Sequence, residues 1–265
     1  MQLMSWSIAR LGSRFGLLFE PHHKRVRHSA LGRFLDAPLN LAVGLEGPDG
    51  KVRVLPFTQE GESFHTVEQF ERANSITFRA YSSDYQLRFE FNIHSAFYPQ
   101  DESLCLLPAI YLEMRINPSK PIRWVKPKFP TPKKVKLFLK LKRPDTDIQV
   151  FCPNESDGLG GRIDLEYDVD LTPKLDHLPV DEKLAAASRK VHASERIISL
   201  NPGAIPTSEG DGLQIELPVS EEGSGIKWRL VWAPSAVTRF STSSKAMKSN
   251  APSFVMHPSG HHLMT

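Results

Sequence analysis

The sequence predicts an all-β protein, a large antiparallel β-sandwich with one or two short helices. Three observations carry that expectation. Many segments alternate apolar and polar residues with a period of two, as a strand with one buried face does. The spacers between them are rich in Gly and Pro, as in GPDG, NPSKP, ESDGLGG, NPGAIPTSEGDG and SEEGSG. Only two stretches read as helix, too few for a βαβ fold.

The strands are read in chain order. KVRVLPF begins at Lys51 and SITFRAY at Ser75. In DYQLRFEFNI, Tyr85, Leu87, Phe89, Phe91 and Ile93 share one face, and Gln86, Arg88, Glu90 and Asn92 the other. PAIYLEMRI groups Ile110, Leu112, Met114 and Ile116. KVKLFLKLK groups Val135, Leu137, Leu139 and Leu141, and RIDLEYDVDL groups Ile163, Leu165, Tyr167 and Val169. LQIELPV groups Leu213, Ile215, Leu217 and Val219, and IKWRLVWAP groups Ile226, Trp228, Leu230 and Trp232. The two helical expectations are HTVEQFERA, one or two turns, and DEKLAAASRKVHA from Asp181. The second is Ala-rich, with an acidic start and a basic end that suit the helix dipole.

The expected organisation is an N-terminal lead over 1–40, partly disordered, a sandwich over 41–240, and a polar tail or linker over 241–265. No acid precedes Glu20, and Arg10 and Arg14 lie in that lead. Its apolar run FGLLF is too short for a signal-peptide core, which leaves a disordered lead, an upstream start or an organelle transit segment. No apolar run approaches the roughly 20 residues of a membrane helix. The net charge of +3 does not mark a nucleic-acid binder. Cys105 and Cys152 fall in or beside strands and read as two buried free thiols, since a chain of 265 residues needs no staple. The expected compartment is the cytoplasm.

Between two of the strongest strands lies HSAFYPQDESLCLLPAIYLEMRIN, His94 to Asn117. Pro99 cannot donate to a sheet ladder and biases Tyr98 towards extended geometry. Phe97 and Tyr98 are expected to plug the end of the core, with Asp101 bonding turn amides. Pro108 opens the next strand, where a missing donor is tolerated. The order Ser95, Ala96, Phe97, Tyr98, Pro99, Asp101, then Leu107, Pro108, Ala109 and Asn117 resembles the N-terminal β-sandwich of the bile-acid β-glucosidase (non-lysosomal glucosylceramidase) family. IKWRLVWAP, Ile226 to Pro234, is similar to that module's late strand. The resemblance covers about a fifth of the chain. LGRFLDAPLNLAVG lacks the Gly-Gly-rich opening of those enzymes. The resemblance implies a non-catalytic module that packs against a helical-barrel catalytic domain in cis or trans. The family's nucleophile and acid belong to that barrel, so no catalytic residue carries over.

The residues themselves offer few chemical sites. Glycoside hydrolysis needs two carboxylates about 5 to 10 Å apart. Asp164, Glu166, Asp168 and Asp170 alternate along one strand face, which reads first as a solvent-facing row. No Gly-x-Ser-x-Gly elbow is present, and GLGG at Gly158 lacks the Lys of a phosphate loop. His257, His261 and His262 lie in the tail and read as solvated, and no metal or cofactor is expected.

From Arg115 to Arg143 there is no acid. Lys134, Lys136, Lys140 and Lys142 share one strand face, read as an edge strand guarded by lysines, with a polyanion surface as the alternative. The candidate binding residues are these four lysines with Trp228 and Trp232. They would serve a free-standing carbohydrate- or anion-binding sandwich, the second functional reading, with nucleic acid the weakest partner.

Overall fold

The computed structural model describes residues 3–9, 16–30, 33–34, 39–95, 100–101, 109–119, 127–142, 149–153, 160–170, 187–219, 226–234 and 239–242. The architecture is the expected all-β sandwich. A short sheet has the order β1 (Trp6–Ala9), β2 (Gly16–Glu20), β3 (Arg25–Ala30), β4 (Arg33–Phe34). A six-stranded sheet runs β16 (Ile205–Pro206), β17 (Gly212–Pro218), β12 (Lys134–Lys142), β5 (Asn40–Glu46), β6 (Val52–Val54), β7 (Glu62–Ser63). A nine-stranded sheet runs β13 (Gln149–Phe151), β14 (Arg162–Asp170), β15 (Ala187–Ser199), β18 (Trp228–Pro234), β11 (Ile110–Pro118), β10 (Leu87–His94), β9 (Ser75–Ser82), β8 (Thr66–Arg72). β19 (Arg239–Thr242) pairs with β15 off this path. The pairings are antiparallel except that of β6 with β7.

The period-two pattern sets which residues turn inward. Leu87, Phe89, Phe91 and Ile93 on β10 are buried, as are Ile110, Leu112, Met114 and Ile116 on β11. Their cross-strand register pairs apolar with apolar, for example Phe89 with Ile116 and Phe91 with Met114. From the facing sheet come Leu41, Val43 and Leu45 on β5 and Val135, Leu137, Leu139 and Leu141 on β12. Aromatic contacts tie the layers together. The Phe57 ring lies 4.7 Å from Phe78, edge-on, and 5.0 Å from Phe19 of β2. Phe64 stacks on Phe89 at 5.5 Å. Gly44 in β5 is required by close approach: a Cβ there would lie 1.9 Å from the Arg53 carbonyl oxygen.

Several expectations need correction. HTVEQFERA is not helical; Thr66–Arg72 is the strand β8. The second helical stretch is strand from Ala187, where β15 begins, and 181–186 lie outside the described residues. Helix propensity is a weak prior, and β15 is held by ladders to β14 and β18. The expected N-terminal lead carries four strands in its described part, and Leu17, Phe19 and Val26 are fully buried. Ile226 is exposed, although the alternation grouped it with the buried Trp228. Cys105, Phe97, Tyr98 and Pro99 lie outside the described residues, as do 243–265 with the tail histidines. The ends of the corner are in place: Ser95 and Ala109 are buried, and Asn117 is buried at the far end of β11.

Candidate functional site

Among the described residues, the densest convergence of chemically capable side chains surrounds Glu195. β15 turns Glu195, Ile197 and Ser199 inward, so a carboxylate and a hydroxyl occupy core positions. His28 arrives from β3, Tyr167 from β14 and Trp232 from β18. His28 Nε2 lies 2.8 Å from Glu195 Oε1 and 3.0 Å from Oε2. Against an ionised Glu195, which only accepts, Nε2 is the donor of this contact. The Tyr167 hydroxyl donates to Oε1 at 2.5 Å, and the Trp232 indole N–H donates to Oε2 at 2.7 Å. The His28 ring stacks on Trp232 at 5.9 Å and 11°, and meets Tyr167 edge-on at 5.5 Å.

A carboxylate, an imidazole and a phenol in mutual contact are the parts of an acid–base site. Access decides their use. His28, Glu195 and Tyr167 are 3%, 4% and 4% exposed, and Trp232 is fully buried. The cluster is sealed, and both carboxylate oxygens are engaged by donors. It joins β3 of the short sheet to three strands of the nine-stranded sheet. Sequence reading missed His28 and Glu195 because their contact spans 167 positions and neither lies in a local motif.

Trp228 and Trp232, expected as contact surface, are both fully buried. This corrects the expectation: neither offers a ring face to a ligand. Trp228 donates from its indole to Ser199 Oγ at 3.0 Å, and Ser199 is itself fixed by Asn201. Both indoles are therefore core residues with their polar atoms satisfied.

The lysine strand also differs from expectation. β12 is not an edge; it lies between β17 and β5. Lys136 reaches Glu46 on β5 at 2.9 Å, Lys134 reaches Glu216 on β17 at 3.4 Å, and Lys140 reaches Glu209 at 3.1 Å and Asp211 at 3.7 Å. The row is a cross-strand charge ladder. The side chain of Lys142 lies outside the described set. The acidic row on β14 does not supply the partners: Asp164 bonds Arg196 at 2.6 Å and Arg162 at 3.2 Å, while Glu166 is exposed. The side chains of Asp168 and Asp170 are outside the described set.

Two further titratable groups are settled by their surroundings. Arg53, buried on β6, donates to Asp84 at 2.8 Å and to Glu62, while Lys128 approaches Asp84 at 3.2 Å. Cys152 is half-buried, and burial, with the Asp211 charge adding, pushes its thiol up to about 11, so it is not a nucleophile at neutral pH. Among the described residues, no group of three or more His, Cys, Asp or Glu is placed to hold a metal ion, and no helix is long and apolar enough to cross a membrane.

No protein-family model matches the chain, and no curated protein is a match either. Among solved structures, the X-ray structure of a galactose mutarotase related enzyme from Lactobacillus acidophilus is similar over 91% of this chain and 99% of that chain, with 8% identity and a TM-score of 0.33. At that TM-score the likeness carries no inference about function.

Proposed function

We propose that this chain is a non-catalytic β-sandwich module of a glycoside-hydrolase-like protein, whose role is to pack against a helical-barrel catalytic domain in cis or trans. The observation that supports this reading is the sealed state of Glu195. Among the described residues, the cluster with the makings of an acid–base site binds strands together and is almost wholly buried. Chemistry on a glycoside would then fall to a partner domain. The residues from Ser95 to Asn117 and from Ile226 to Pro234, which resemble the bile-acid β-glucosidase sandwich, point the same way. The alternative is a free-standing carbohydrate- or anion-binding sandwich; the carboxylates beside Lys134, Lys136 and Lys140 weigh against it.

The test is enzymatic. The purified chain should not hydrolyse an aryl β-glucoside. Turnover that persists through purification, and that Glu195→Gln or another single carboxylate substitution abolishes, would overturn the reading. A helical, carboxylate-bearing domain encoded in frame beyond Thr265, or in an adjacent reading frame, would support it.

A further inference from the structure

One end of the nine-stranded sheet is β8, Thr66–Arg72, and among the described residues its outer edge has no partner strand. An unpaired edge presents a row of N–H and C=O groups ready to pair with another strand. Natural edges are commonly blunted by proline, lysine or a bulge. β8 has no proline, lysine or bulge, and its only guards are the charges of Glu68, Glu71 and Arg72: its sequence is TVEQFER, and its register with β9 runs unbroken from Thr66–Tyr81 to Arg72–Ser75.

The side chains on β8 have a symmetry of their own. Glu68, Phe70 and Arg72 alternate onto the outer face of the sheet, opposite the buried Gln69. Phe70 is 39% exposed, with the Arg79 guanidinium 4.6 Å from its ring centroid. A shallow hollow of about 370 Å³ borders the ring, lined by Gln69, Phe70, Glu71, Arg72, Thr77 and Arg79. An acid stands two residues before the aromatic and a base two residues after it. Turned end for end about Phe70, the outer face of the strand presents Arg72 to Glu68.

We propose that β8 pairs with β8 of a second copy of this chain, antiparallel about a two-fold axis through Phe70, to make a continuous sheet across a symmetric dimer. In that register Phe70 faces Phe70, Glu68 faces Arg72 of the other copy, and Gln69 faces Glu71. Backbone geometry permits it. Ala73 and Asn74 form a two-residue hairpin loop, which closes on the hydrogen-bonded pair Arg72–Ser75. Alternation then turns the amides and carbonyls of Arg72, Phe70 and Glu68 towards β9, and those of Glu71, Gln69 and Val67 outward. Pairing about Phe70 places Gln69 and Glu71 in hydrogen-bonded positions. The two phenylalanines fall in the closer, non-hydrogen-bonded position, where side chains interact most. An axis on Glu68 or Arg72 would set like charges face to face. An axis on Gln69 would leave Arg72 opposite Thr66. Of these axes only the one on Phe70 pairs Glu68 with Arg72.

The experiment is a charge exchange read by sedimentation equilibrium. Wild type should show a concentration-dependent monomer–dimer equilibrium. Glu68→Arg alone, and Arg72→Glu alone, each set like charges opposite one another twice per dimer, and should weaken dimerisation by about tenfold or more. The double variant Glu68→Arg with Arg72→Glu should return to within about threefold of wild type, since the pairs are restored with reversed sign. Phe70→Glu should dissociate the dimer by placing two carboxylates on the axis. Melting curves of each variant establish that the fold is intact. A wild type that stays monomeric at every concentration would overturn the proposal. So would a dimer indifferent to both single exchanges and to Phe70→Glu, or one not rescued by the double exchange.

Discussion

His28 Nε2 and Glu195 Oε1 are 2.8 Å apart, although 167 positions separate them in the chain. The contact ties the short N-terminal sheet to the nine-stranded sheet through a buried hydrogen bond. Replacing Glu195 by Ala would leave His28, Tyr167 and Trp232 without their shared acceptor. Leaving a buried donor unsatisfied costs about 1 to 3 kcal/mol, and three donors here share the one carboxylate. Glu195→Gln keeps one acceptor oxygen and should cost less. Urea unfolding of the two variants checks the order, and a Glu195→Ala protein as stable as wild type would show that the cluster does not hold the sheets.

Arg53 and Asp84 form a second buried tie, at 2.8 Å. Burial alone would raise the Asp84 carboxyl, but the hydrogen bonds from Arg53 and Lys128 outweigh it and hold the group below its ordinary value of 3.8. A depressed carboxylate contributes stability that is present above the unfolded value and lost as pH falls through the folded one. Asp84→Asn should therefore destabilise the protein at neutral pH. The gap between wild type and variant should close as pH is taken below about 3.8. Unfolding free energies across that acid range provide the check.

His94 has the same sign for a different reason. Its ring stacks on Tyr111 at 5.2 Å, and its Nδ1 is buried without a hydrogen-bond partner. Burial, assisted by the Lys227 charge and opposed by Glu113, lowers its pKa from the usual 6.5. Between the two values the unfolded chain binds more protons than the folded one, so stability falls as pH drops below 6.5. His94→Phe retains a ring for the stack and removes the titration. Its stability should vary less than that of wild type as pH falls from 7 through the window just below 6.5, measured by thermal melts.

The strands most legible in the sequence were those with one apolar face. β10, β11, β12 and β17 show it plainly, because every second residue enters the core. β8 and the start of β15 read as helix in the sequence for two separate reasons. β8 is an edge strand with few core contacts, so its faces carry Thr, Glu, Gln and Arg and the alternation disappears. The stretch of β15 that reads as helix ends at Ala193, and its Ala, Lys and Arg are good helix formers, but the ladders to β14 and β19 hold it extended. Farther along, Glu195 and Ser199 turn inward to bond Trp232 and Trp228 and break the apolar alternation. The tryptophans were legible as apolar members of a strand. Their polar partners were not, because nothing local links Glu195 to His28 or Ser199 to Trp228.

The lysine strand yields the last prediction. Edge lysines guard against aggregation, but β12 is flanked on both sides, so its lysines have no edge to guard. Changing Lys134, Lys136 and Lys140 to Gln should leave solubility unaltered. Lys134 and Lys136 are substantially exposed, and such pairs are worth well under about 1 kcal/mol each, so folding should be little affected. Heparin binding should be weak in wild type and unchanged in the triple variant. Glu46, Glu209, Asp211 and Glu216 cancel the charge that a polyanion would seek. The informative contrast is the opposite substitution. Glu46→Gln with Glu216→Gln unmasks Lys136 and Lys134, and should create heparin affinity that falls as salt rises. Salt-sensitive binding by wild type that disappears in the triple lysine variant would show that the ladder opens to an anion despite its carboxylates.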